Sequence, residues 1–131
     1  MSPDLELVGR LYAAFAAGDL PTFLSHLHPQ VRWNEAESNP LADGNPYVGA
    51  EAIVNGVFLR LAEDFADFRV QVDEICGGEG VVTMLGRYHA DARATGKKLD
   101  AQVQHTWWLE GGKVVRFQQM VDTAALLAAL S

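Results

Sequence analysis

The sequence holds a single cysteine, Cys76, so no internal disulfide can brace the chain and nothing ties it to an oxidising compartment. A lone thiol followed by Gly77 and Gly78 at a turn reads as a structural bystander before a nucleophile. Basic residues are scarce as well. Ten Lys and Arg against 17 Asp and Glu leave a formal net charge of −7. The ten are scattered, which excludes the basic stripe that nucleic acid requires and argues against docking on an anionic membrane. No apolar run approaches transmembrane length, and the opening MSPDLELVGR lacks the basic-then-apolar layout of a signal peptide. The expectation is therefore a cytoplasmic protein. Internal repeats and low-complexity tracts are absent too.

What is present is apolar and periodic. Of 131 residues 49% are hydrophobic, enough for one domain over residues 1–131 to build its core without metal or disulfide. Leu5, Val8, Leu11, Tyr12 and Phe15 recur at helical spacing until Gly18. Asp19 caps a second helix, whose stripe runs Leu20, Phe23, Leu24, Leu27 and which Pro29 ends. VRWNEA alternates, predicting a strand from Val31 to Ala36. The stretch from Glu37 to Val48, rich in Pro, Gly, Asn and Asp, predicts a long loop of the kind that serves as a lid. A third helix carries Ile53, Val54, Val57, Phe58 and Leu61 on one face.

After that helix the period shortens to two. Phe68, Val70 and Val72 alternate with polar residues, and strands follow over Val81–Ala90, Leu99–Glu110 and Lys113–Val121. Gly-containing turns separate them. A last helix, capped by Asp122, ends near Leu130. This order predicts an α+β domain with helices packed on one face of a curved antiparallel sheet.

Alternation also sorts polar side chains by face. Glu35 shares a face with Val31 and Trp33, and His105 shares one with Val103, Trp107 and Leu109, so both point inward. Trp108 points outward, toward a subunit contact. Two inward titratable groups on separate strands are a candidate acid–base site, because burial raises a Glu pKa and lowers that of His. Two plainer readings stay open: Glu35 at a strand end facing water, and His105 as a satisfied core residue. Trp33, Phe58, Met84, Trp107 and Met120 form core or pocket wall, joined by Phe15. Tyr12, Tyr88, Gln119 or Asn34 would orient polar groups. Glu35 and Glu37 with His26 and His28 are rejected as metal ligands, since two histidines two apart on a helix diverge.

Three segments carry a family resemblance: LYAAFAAGDLPTFLSHLHPQVRW, YVGAEAI and HTWWLEGGKVVRFQQMVD. They resemble the nuclear transport factor 2-like, or SnoaL-like, superfamily, which includes ketosteroid isomerases, polyketide cyclases, scytalone dehydratase and a non-catalytic transport factor. The resemblance implies a cystatin-like cone, its curved antiparallel sheet wrapped around N-terminal helices, and a homodimer joined through the outer sheet face. Carried over residue by residue, Glu35 falls where the isomerases keep the carboxylate that abstracts a proton beside a carbonyl. His105 falls where they keep the protonated aspartic acid of the oxyanion hole. Their oxyanion tyrosine falls on Leu11, with Tyr12 about a hundred degrees around the helix, which implies an incomplete hole. The expectation is an isomerase or lyase, without metal or cofactor, acting on a small apolar or carbonyl-bearing molecule. A carrier using the same pocket and a dimerisation module with a filled cavity are the alternatives.

Overall fold

A computed structural model describes residues 2–131. Ser2 accepts the N–H groups of Asp4 and Leu5 and launches α1 (Pro3–Ala16), which turns Leu7, Val8, Leu11 and Ala14 into the core. Gly18, at φ 69°, then takes a left-handed turn that residues with a Cβ resist. Asp19 caps α2 (Leu20–Ser25) through the N–H of Thr22.

Here the structure departs from the sequence pattern. The second helix stops two residues before Leu27, and β1 runs Leu27–Asn34 rather than beginning at Val31. Leu27 already pairs with Val114 of the last strand, and the register shifts between Leu27 and Arg32. Pro29 sits inside that irregularity, where its missing N–H deprives the ladder of nothing. His26 is therefore a helix cap and His28 a strand residue, so the helical-spacing argument does not apply to them.

The predicted loop is partly ordered as a 3₁₀ turn (Pro40–Gly44) and a short strand β2 (Tyr47–Val48) antiparallel to β1. The third helix is also not uniform. It begins as α3 (Ala50–Ile53), widens to a π turn (Val54–Phe58) and closes as α4 (Leu59–Asp64). The ring of Tyr47 lies so close to Gly44 and Gly56 that a Cβ at either would collide with it. Glycine at both places lets the lid be pressed against the π turn.

The remaining strands are β3 (Phe65–Gly78), β4 (Val81–Ala92), β5 (Lys98–Glu110) and β6 (Lys113–Val121), followed by α5 (Thr123–Leu130). They form an antiparallel meander that β1 joins in parallel to β6, giving the order β2-β1-β6-β5-β4-β3. The sheet is curved and unclosed, with the N-terminal helices in its concave side. Register shifts in β3 and β5 mark bulges, which bend strands and sharpen their twist. At one of them Gly86 passes so close to the Gln71 carbonyl that no side chain fits.

Alternation places the core as the sequence pattern predicts. Val82, Met84, Tyr88 and Ala90 of β4 face inward with Leu99, Ala101, Val103, His105, Trp107 and Leu109 of β5. Trp108 faces outward beneath the Arg116 guanidinium, 4.2 Å from its ring centre. That outer face mixes exposed Leu85 and Met120, the latter expected in the core but turned outward by its pairing with Gln104, with the ion pairs Arg87–Asp100 and Lys98–Asp91. Among the described residues no helix is long and apolar enough to cross a membrane.

Candidate functional site

Between the helices and the concave sheet lies a cavity walled almost wholly by aromatic and aliphatic side chains. α1 supplies Tyr12 and Phe15, the π turn supplies Phe58, and the lid closes one side with Asn39, Pro40 and Leu41. The cavity has a volume of about 60 Å³. Among the described residues no Lys or Arg stands in the wall.

Glu35 follows directly on β1. Asn45 of the lid clamps its backbone from both sides, accepting the Glu35 N–H at 3.0 Å and donating to its carbonyl at 2.8 Å. The carboxyl is 3% exposed and lines the cavity. Among the described residues its one hydrogen-bond donor is the indole N–H of Trp33, at 3.1 Å. Loss of water disfavours the charged form more than the indole favours it, and the Glu35 pKa is pushed up to about 7. Near neutral pH the group is divided between a base and an acid.

His105 meets different company. Nδ1 lies 2.6 Å from the Tyr12 hydroxyl, and Nε2 lies 2.5 Å from the Tyr88 hydroxyl. The Trp107 indole donates to the Tyr12 oxygen, and the Gln119 amide donates to the Tyr88 oxygen, both at 2.9 Å. Both ring nitrogens are thereby occupied. Burial alone lowers the His105 pKa to about 3, so the imidazole is neutral in ordinary conditions. Burial also raises both phenols above their ordinary range, and the charge of Glu35 adds to the effect at Tyr88.

Gln119 anchors this chain to the lid. Its carbonyl accepts the Ala36 N–H at 3.2 Å and the Asn39 amide at 2.9 Å, while Asn39 accepts the Leu41 N–H at 2.9 Å. A continuous polar thread therefore runs from lid backbone to α1 across an otherwise apolar cavity.

Of the residues singled out in the sequence, Glu35, His105, Tyr12, Phe15, Trp33, Phe58, Tyr88, Trp107 and Gln119 all line this one cavity. Met84 does not. It lies across the ladder from His105, and its sulfur occupies the space that the absent Gly86 side chain leaves open. Asn34 pairs with Gln118 in the sheet and is not in the wall. On α1, Leu11 is fully buried in the core, and the Tyr12 hydroxyl reaches the cavity. Asn39 and Asn45 escaped the sequence reading, because loop residues carry no period that orients them. The Asn39-Pro40 pair was the available signal, since Asn before Pro marks a cap or turn, and Asn39 does cap the 3₁₀ turn. Among the described residues no cluster of three or more His, Cys, Asp or Glu is placed to hold a metal ion.

A family model described as a SnoaL-like domain matches residues 8–117. A nuclear transport factor 2-like protein from Burkholderia thailandensis is 30% identical, aligned over 100% of this chain and 98% of its own, with a TM-score of 0.93. A second such protein, of unknown function, from Burkholderia pseudomallei is 26% identical over 100% of this chain and 99% of its own, with a TM-score of 0.90. TerC, crystallised with polyporic acid, shares the fold at 23% identity, covering 98% of both chains, with a TM-score of 0.86. No curated protein matches the chain.

Proposed function

The chain belongs to the SnoaL-like domain family, and on that premise we propose that it is an enzyme, working without cofactor, that moves a proton on a small, largely apolar carbonyl compound. Glu35 takes a proton from the carbon beside the carbonyl. The C–H electron pair shifts into the carbonyl, whose oxygen gains the charge, and the proton rests on Glu35. Return of that proton to another carbon completes an isomerisation, and loss of a leaving group completes an elimination. A tyrosine hydroxyl held by His105 stabilises the developing oxygen charge in a site from which water is largely excluded.

One observation carries this reading: a buried carboxyl with a single indole partner, no cation in the surrounding wall, and a pKa near 7. A carboxyl kept only for structure gains by being paired, since burying an unpaired one costs several kcal/mol. The apolar wall suits a ligand with one polar handle.

The test needs no knowledge of the natural substrate. Small aryl ketones and 1,3-diketones are incubated with the protein in D₂O, and deuterium entry beside the carbonyl is followed by NMR. Exchange above the buffer rate is expected for at least one member, and Glu35→Gln should lower it about 10²–10⁴-fold. Exchange that survives Glu35→Gln, or no exchange above buffer from a protein that binds the same compounds tightly, replaces the enzyme with a carrier.

A further inference from the structure

The polar thread has one proton too many. Its two ends are fixed: the Trp107 indole is only a donor, and the Gln119 amide is oriented by the Ala36 and Leu41 backbone N–H groups, directly and through Asn39. Each tyrosine oxygen therefore accepts one hydrogen bond from outside and still has its own proton to give. Between them stands a neutral imidazole with one N–H and one lone pair. It accepts from one tyrosine and donates to the other. The tyrosine that receives from His105 keeps a proton for which no acceptor exists among the described residues, and both tyrosines line the cavity.

Two observations decide which tyrosine this is. The Gln119 amide bridges Tyr88 to the N–H of Ala36, the residue after Glu35, and so sets Tyr88 on the Glu35 side of the cavity, whereas the outer partner of Tyr12 is the Trp107 indole. Tyr88 is also the tyrosine that feels the Glu35 charge, and a hydroxyl near a carboxylate is favoured when its proton is turned toward the charge rather than away from it.

We infer that Tyr88 is the hydrogen-bond donor to the ligand's oxygen, and that His105 is a positioning residue, held as the Nε2–H tautomer by Tyr12 and freeing the Tyr88 proton for the cavity. The ligand class follows. It bears an acceptor oxygen, carbonyl or phenolate, on an aromatic or aliphatic body, and that oxygen docks at Tyr88. For the ligand's identity as a carbonyl compound this rests on the function proposed above; the proton count does not.

The first test reads the tautomer in the ligand-free protein, by ¹⁵N NMR of the His105 ring. The expected pattern is a protonated Nε2 and a bare Nδ1. A protonated Nδ1 beside a bare Nε2 would overturn the assignment whether or not any ligand binds. The second uses acetophenone as the probe, with its carbonyl stretch read by infrared difference spectroscopy. Tyr88→Phe should weaken acetophenone binding roughly tenfold and abolish the red shift of the bound carbonyl. Tyr12→Phe should keep most of that shift. A shift retained in Tyr88→Phe and lost in Tyr12→Phe refutes the inference. Exchange chemistry failing while the Nε2–H tautomer and the Tyr88-dependent shift persist would remove the enzyme and leave the binding geometry standing.

Discussion

Two buried titratable side chains share one cavity and live by opposite rules. Around Glu35 the structure gives its carboxyl a single indole donor and little else. Around His105 it occupies both ring nitrogens and continues the chain of partners to the backbone. A buried polar group left short of partners holds its energy in reserve for a ligand, while a fully partnered one spends it on fixing geometry. Reactivity is accordingly expected at the first corner and orientation at the second.

The largest effect should come from the under-satisfied corner. Glu35→Gln is expected to lower proton exchange about 10²–10⁴-fold while leaving the fold intact, because Gln can still accept from Trp33. Circular dichroism alongside the exchange assay separates lost chemistry from lost structure. At the other corner the order reverses. His105→Leu leaves the buried Tyr12 proton without its acceptor, at about 1–3 kcal/mol, and urea unfolding should record the loss. A stability unchanged in His105→Leu would erase the distinction between the corners.

The two groups should also tilt the pH dependence of stability in opposite directions. Glu35 has a folded pKa raised from 4.5 to about 7. In that interval the folded state holds more protons than the unfolded one, so its contribution is complete at low pH and is lost as pH rises through 7. The loss amounts to about 3 kcal/mol. His105 has a pKa lowered from 6.5 to about 3, so its contribution is complete above 6.5 and is lost as pH falls toward 3. Unfolding curves of Glu35→Gln and wild type should diverge between pH 5 and 8, the variant gaining on wild type as pH rises. Parallel curves would mean that Glu35 is ionised in the folded state throughout. The smallest effect probes the lid: Gly56→Ala forces Tyr47 aside, with an expected cost of about 1–3 kcal/mol in thermal melts.

Much of this was legible in the chain. Periodicity located α1, the long strands of the meander and the inward faces that carry Glu35 and His105, because side-chain direction in a strand follows the backbone pleat and nothing else. It failed where another part of the molecule decided. Leu27 looks helical by spacing but belongs to β1, since β6 offers its backbone a ladder. Met84 has the right face for the cavity, yet Gly86 drew its side chain elsewhere. Only packing of α1 against the sheet could show that the Tyr12 hydroxyl meets His105 and Trp107.

By itself, then, the sequence determined the class of fold and the pair of polar residues turned inward. These depend on local period and on where apolar side chains must go. The tertiary structure alone decided that Glu35 is starved of partners and His105 surrounded by them. It also decided that lid residues Asn39 and Asn45 secure the site and that one tyrosine proton is left for a ligand. Those are properties of distances between strands, helix and loop far apart in the chain, and a hydrogen bond is specified by where its two ends meet.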